Sequence, residues 1–388
     1  ALTLASFAAP PALLGQQVGL QGQLRPRWEG RDPAGSGMGS FTSMRTRAAI
    51  SAALESDVRV FIEFQDVRLF GEETNPLFDD SADGMDLHEA FAELGDFLGD
   101  GNWLRVGRQE TSLGGQRLVG AVDWAQQGQS FDGARLRADG DWGMLDLIAY
   151  RTNESAGGGG ADSELVGVYA VIPTGGSATL DLFTLYRGTA AATETDQATS
   201  GLRWAGGSGV WSYRAEGAIQ YGTRADDDVS AWMIGGRIGA EVADGAGTVT
   251  LWYDLLSGDD DPADGTVRVF ETLFATNHKF YGFADLFLNI PAHTGGLGLQ
   301  DLALKATYQA APDVRLAADL HSFRLAKQGS VSSSHLGEEL DLTGTLTYTP
   351  QVSFVAGLSF VAQDDAFAEI GRLAENLMWG YVMMNVTF

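Results

Sequence analysis

The sequence predicts an all-β protein: a transmembrane antiparallel β-barrel of about 18 strands, with short periplasmic turns and longer extracellular loops. Three observations predict it. Apolar and polar residues alternate with period two over segments of about ten residues. Short turns alternate along the chain with long polar loops, as in a meander whose two rims differ. Finally, the 388-residue chain holds no apolar run of about 18 residues. A spanning helix is therefore excluded, while spanning strands are not.

From the N-terminus, residues 1–16 read as a signal-peptide remnant or a disordered apolar segment, with Ala5, Ser6, Ala8 and Ala9 as small residues where cleavage would fall. Residues 17–388 then read as one outer-membrane β-barrel domain. "VGLQGQLRPRW" (18–28) sets Val18, Leu20, Leu24 and Trp28 against Gln21, Gln23, Arg25 and Arg27. "MRTRA" (44–48) sets Met44, Thr46 and Ala48 against Arg45 and Arg47. "VRVFIEFQ" (58–65) opposes Val60, Ile62 and Phe64 to Arg59, Glu63 and Gln65. "VWSYRAEGAIQYG" (210–222) opposes Trp211, Tyr213, Ala215, Ile219 and Tyr221 to Ser212, Arg214, Glu216 and Gln220. The chain closes on the alternating "WGYVMMNVTF".

Short turns are expected at 55–57, 139–143, 174–177, 206–209, 244–247, 311–313 and 350–351. Long loops are expected at 30–40, 71–86, 112–121, 153–163, 190–198, 225–229, 257–298, 327–337 and 364–376. The segment 278–288, "HKFYGFADLFL", has strand composition, but a strand there would make the number odd, so it belongs to a loop. Trp28, Trp103, Trp142, Trp211, Trp232 and Trp379 fall near strand ends, as girdle aromatics do.

The chain carries 51 acidic and 25 basic residues and no cysteine. Disulfides, thiolate metal sites and cysteine nucleophiles are excluded, and a net charge of −26 argues against nucleic-acid binding. Many acids sit in Gly/Asp-rich loops. A soluble sandwich would need an apolar core, whereas here the polar face holds paired charges in strand middles. Lipid on the apolar side resolves that conflict.

The polar face then lines a lumen. Its candidate cations are Arg25, Arg27, Arg45, Arg47, Arg59, Arg105, Arg135, Arg137, Arg214 and Arg237. Candidate anions are Glu63, Glu93, Asp146, Asp181, Glu216 and Glu241. Rings of arginine in a pore favour anions, because the guanidinium fork replaces the hydration of a carboxylate. The alternative is that each arginine braces the wall through a neighbouring acid. In "SGDDDPADGTVRVFE" (257–271), Asp260, Asp264, Gly265 and Glu271 match four positions of a calcium loop, but Pro262 occupies a ligand position and no flanking helices are expected. No cofactor is therefore expected: a solvated loop is the default reading of 257–271, and calcium at this acidic loop is the alternative. The five histidines (His88, His278, His293, His321 and His335) form no metal motif, and no nucleophile elbow or phosphate loop announces an enzyme.

The block 103–137, with "GRQ", "RLVG", "DW" and "FDG", resembles the alginate-export family of outer-membrane barrels. So do 255–287 and "LQDLALKATY" (299–308), in the same order along the chain. The resemblance implies an 18-stranded barrel that passes an anionic polysaccharide through an arginine-lined constriction, with loops that plug the lumen. It also implies a setting of membrane lipid and lipopolysaccharide in a Gram-negative outer membrane, and periplasmic export proteins as partners. Arg105, Arg108, Arg117, Arg135 and Arg137 lie in the matching block. Arg108 has the wrong strand parity unless a bulge at Gly107 turns it inward, and Arg117 falls in a loop. A porin for small anions and a structural barrel holding another envelope protein are the alternatives.

Overall fold

A computed structural model describes residues 17–33, 38–72, 84–154, 162–190 and 194–388. The leader expected at 1–16 and the glycine run 157–160 lie outside these residues. The strands are β1 (Gln17–Pro33), β2 (Gly39–Ala53), β3 (Val58–Leu69), β4 (Met85–Gly95), β5 (Trp103–Gln109), β6 (Phe131–Gly140) and β7 (Gly143–Asn153). They continue as β8 (Asp162–Gly175), β9 (Ala178–Ala190), β10 (Thr195–Ser208), β11 (Trp211–Arg224), β12 (Asp227–Val242) and β13 (Gly247–Leu256). After the two-residue β14 (Thr266–Val267) come β15 (Leu299–Ala311), β16 (Val314–Leu325), β17 (His335–Thr349), β18 (Val352–Gln363) and β19 (Leu377–Thr387).

Every strand but β14 pairs antiparallel with its neighbours, β13 pairs directly with β15, and β1 closes the ring on β19. The result is a closed 18-stranded antiparallel barrel, as the alternation requires. β14 lies inside the 257–298 connection and adds parallel to the start of β12. The segment 278–288 is indeed loop: it contains only a short 3-10 turn at Asn277–Lys279.

Closure follows from the residue pattern. On β11, Arg214, Glu216, Ala218 and Gln220 are buried, while Trp211, Ile219 and Tyr221 are exposed. The same alternation exposes Leu20, Ile50, Phe64, Leu147, Leu202, Leu251, Leu304 and Leu358 around the outside. Leaving such side chains in water would cost about 1.5–3 kcal/mol each, so the outer wall demands lipid. Among the described residues no helix is long and apolar enough to cross a membrane; the crossing is by strands. Trp28, Trp142, Trp204, Trp211 and Trp232 stand on the outer face. Trp379 does not: it is buried inside, and Trp103 turns inward toward three arginines, so neither belongs to the girdle.

Several connections differ from the expected lengths; the loop expected at 112–121 runs from 110 to 130. The 225–229 loop is a two-residue turn, 225–226, because β11 and β12 pair to their ends through Arg224 and Asp227. A further turn joins β4 to β5 at 96–102, where the Asp96 carboxylate accepts from Gly101 N in a Gly/Asp-rich stretch that ends on Gly101 and Asn102.

Candidate functional site

Strand parity delivers the polar side chains to the lumen, and two long connections fold in to meet them. The first inserted loop is 110–130 and the second is 257–298. Phe274 and Val119 form a parallel bridge between them, extended by hydrogen bonds from Gly120 N to Phe274 O and from Phe274 N to Leu118 O. Trp124 of the first loop stacks on His278 of the second, with ring centres 4.2 Å apart. Leu113, Leu118 and Val119 join Phe270, Phe280, Phe287 and Ile290 in an apolar cluster inside the barrel. The lumen is thus spanned by two loops zipped to each other.

The wall holds each loop by a different chemistry. Arginines of β1 and β2 grip the first loop through its carbonyls. Arg25 donates to Asp123 O at 2.7 Å and Ala125 O at 2.9 Å, and Arg27 donates to Trp124 O at 2.8 Å. Arg45 reaches the Asp123 carboxylate at 2.7 Å and Gln23 at 2.6 Å. Arg47 contacts Glu110 at 3.0 Å, Glu63 at 3.4 Å and Gln65 at 2.7 Å. A few strands further round the same side, carboxylates of β17 grip the second loop through its amides: Ala284 N donates to Glu339 at 2.7 Å and Phe283 N to Asp341 at 3.2 Å. Glu271 of that loop is clamped between Arg187 and Arg224, the latter at 2.7 Å. Cations bind the carbonyl oxygens, anions bind the N–H groups, and each leaves the buried backbone satisfied.

These loop carboxylates respond accordingly. Burial works against the charge of Asp123, but Arg45 and Arg25 outweigh it and hold the carboxyl below its ordinary value. Burial likewise opposes Glu110, and the hydrogen bond from His88 with the charge of Arg47 brings it below the usual range. Arg117, buried in the first loop, is desolvated yet pushed upward because Asp254 takes both its Nη atoms, at 2.7 and 3.0 Å. Arg117 also donates to Tyr281 at 2.7 Å and lies 3.9 Å over the Phe280 ring.

The expected lumen arginines of β3 to β7 also meet acids. Arg135 and Arg137 both fork onto Asp146, which is fully buried, at 2.6 and 2.7 Å. Arg59 and Arg105 share Glu93, at 2.9 and 2.6 Å. Arg108 stays on the outer face: strand registers on both sides run unbroken through Gly107, and the guanidinium pairs with Asp132 at 2.7 Å near the loop rim.

One region is different. On β10 to β12, Arg203, Arg214 and Arg237 converge under Lys279 of the second loop, with Arg117 beside them. Desolvation and then the charges of Arg214, Arg237, Arg117 and Arg203 hold the Lys279 ammonium below its ordinary value. Arg203 has Asp181 at 2.9 Å, which is also held by Tyr169. Glu216 lies 3.8 Å from Arg214 and 3.6 Å from Arg117. Among the described residues Arg237 has no ion-pair partner, and buried N–H donors of Arg203, Arg214 and Arg237 find no acceptor in the protein, as is also true of the Nε atoms of Arg108, Arg117, Arg187 and Arg224. Arg214 is only 5% exposed. Buried donors without acceptors are costly unless something else supplies one.

Sequence reading found Arg214, Arg237, Asp181 and Glu216 but missed Arg203, Lys279, Lys305, Asp254, Asp301, His321, Glu339 and Asp341. Most were visible by parity: "GLRWAG" places Arg203 opposite Leu202 and Trp204, and "EELDL" places Glu339 and Asp341 opposite Leu340. Lys279 carried no such signal, because a loop's path has no period. At the 257–271 acidic loop, Asp264 pairs with Arg268 at 2.8 Å, Asp260 with Lys327 at 3.3 Å and Glu271 with the two arginines named above. A cavity of about 700 Å³ lies between the two inserted loops and β1–β3, lined by Arg27, Glu29, Trp124 and His278.

A family model described as alginate export matches residues 17–372. Solved structures share the architecture. OpdO of Pseudomonas aeruginosa aligns with a TM-score of 0.65 at 15% identity, over 96% of this chain and 97% of that one. The outer membrane protein OprD of the same organism gives 0.65 at 13% identity, over 96% and 94%. OpdL, again from Pseudomonas aeruginosa, gives 0.66 at 12% identity, over 96% and 98%. At such identities the likeness concerns the fold. No curated protein matches the chain.

Proposed function

Since this chain belongs to the alginate-export family, an outer-membrane channel barrel of a Gram-negative envelope, we propose that it passes an alginate-like polyuronate past Arg203, Arg214, Arg237 and Lys279. The observation that carries this reading is the set of buried guanidinium donors there without acceptors. A carboxylate arriving at this point takes up hydrogen bonds that the protein leaves open, so its lost hydration is replaced. Asp181 and Glu216 stand beside the site and keep each contact weak enough for the chain to move on.

On this reading the other expected pore arginines divide by task. Arg25, Arg27, Arg45 and Arg47 position the first loop, and Arg135 and Arg137 are neutralised in part by Asp146. Arg59 and Arg105 line the turn-side approach. Polymer transport fits a passive channel supplied by periplasmic export proteins. One observation favours a second reading, a porin for small anions: two loops zipped across the lumen leave less room than a polymer channel needs.

Planar-bilayer recording separates the two. Oligouronate at micromolar concentration should block the current, and neutral dextran should not. R214Q/R237Q should weaken that block about tenfold or more and shift the reversal potential away from anions, since hydrogen bonds to charged groups contribute about 1.5–3 kcal/mol each. Block unchanged in the double variant would refute the site. Permeation of small anions with no oligouronate block in the parent barrel would establish the porin reading instead.

A further inference from the structure

We infer that Trp103 and the guanidiniums around it form a second carbohydrate subsite, at the periplasmic approach to the lumen, where a sugar ring stacks as its carboxylate is gripped. The inference rests on the polyuronate reading and adds a place where the polymer is first held.

Trp103 opens β5 directly after the 96–102 turn, so it lies on the turn side, which is the periplasmic rim. Its parity is that of Arg105 and Gln109, so the indole projects inward. The ring is half-buried rather than packed away. Three guanidinium carbons lie about it, those of Arg105 at 5.0 Å, Arg137 at 5.3 Å and Arg135 at 5.4 Å from the ring centre. Arg105 also covers Phe91 at 4.1 Å, and Phe91 stacks on Phe61 at 5.3 Å. A run of aromatic rings and guanidiniums therefore follows the wall, with Phe91 buried beneath Arg105.

Its charge is unbalanced. Among the described residues Arg59, Arg105, Arg135 and Arg137 share two ion-pair carboxylates, Glu93 and Asp146. Arg59 and Arg137 are the accessible members, with side chains 49% and 27% exposed. Hydrogen bonds to Glu93 and Asp146 fix the Nε and one Nη of Arg105 and Arg137, which leaves the other Nη of each as a donor toward the lumen.

This pairing of groups selects a particular chemistry. A simple anion needs no indole, and a neutral sugar needs no excess of guanidinium. A hexuronate unit presents both an apolar ring face and a carboxylate, and the two match the two halves of the surface. An interfacial anchor would put Trp103 on the lipid side with Trp142 and Trp211, which it is not.

The test compares W103A and W103F with the parent barrel in planar bilayers, with oligouronate added to the turn side or the loop side. Because the chain has no cysteine, a single cysteine at Asp141 (D141C) blocked by a charged thiol reagent reports orientation. W103A should weaken turn-side block about five- to tenfold through slower capture, and W103F should keep most of it. The potassium–chloride reversal potential should stay put, which excludes misfolding and loss of charge as the cause. Equal block in W103A and parent overturns the subsite. So does an equal loss of block by polyvinyl sulfonate, which has charge but no ring to stack on the indole. If the parent is not blocked by oligouronate from either side, the polyuronate reading itself falls.

Discussion

At the scale of single residues, the charge of an arginine says less than the company it keeps. Arg45 and Arg47 share the strand face expected of pore cations, but their donors end on Asp123, Gln23, Glu110 and Gln65. Arg135 and Arg137 spend theirs on one buried carboxylate. Asp146 therefore masks two cations, and Asp146→Asn tests the point. Without that charge, two adjacent guanidiniums face the lumen with one weak acceptor between them. The variant should become more anion-selective by reversal potential and lose about 3 kcal/mol or more of stability, as when one partner of a buried ion pair is removed. The stability loss reads out as a lower temperature for losing compact mobility on detergent gels. Unchanged selectivity would mean that Asp146 does not govern the field at this wall.

At the scale of elements, the second inserted loop depends on a close approach to β17. Gly282 has φ +83, and a Cβ there would sit 2.5 Å from the Glu339 carboxylate that receives Ala284 N. Gly282→Ala brings both steric overlap and a left-handed backbone that alanine disfavours, about 1–3 kcal/mol together. The loop should detach from β17, with noisier open-channel current and faster trypsin cleavage after Lys279 in the folded barrel. Current noise and cleavage equal to the parent would show that the glycine contact does not hold the loop. This element also marks where sequence reading stops. Strands were legible because period two is enforced along every wall by lipid outside and water or polar groups inside. The loop 257–298 was recognised as a connection, yet nothing in its composition says that it turns inward. That depends on Glu339 and Asp341, some 55 residues away, offering acceptors to its amides. The candidate site inherits the same limit: Arg214 and Arg237 were readable from parity, whereas Lys279 above them was not.

At the scale of the whole molecule, the net charge of −26 leaves both mouths acidic around a local arginine cluster inside the barrel. Carboxylates crowd the loop rim at Asp226, Asp227, Asp228, Asp259, Asp260 and Asp261, but also the turn rim at Asp57, Asp96, Asp100, Asp139, Asp141 and Asp313. A polyanion must cross one of these rims to reach Arg203, Arg214 and Arg237. Usual electrostatic steering is then reversed at the entrance: added salt shields the repulsion felt in open water, where the Debye length falls from about 30 Å at 0.01 M to about 10 Å at 0.1 M. The arginine contacts, made inside a lumen narrowed by two loops, are screened less. The rate of oligouronate capture in bilayer recordings should therefore rise, by severalfold, as potassium chloride is raised from about 0.01 to 0.1 M. The dwell time of each block should change little over the same range. Capture that slows with salt, as attraction to a basic mouth would dictate, would place the controlling field at the arginine cluster and leave the acidic rims without a part in admission.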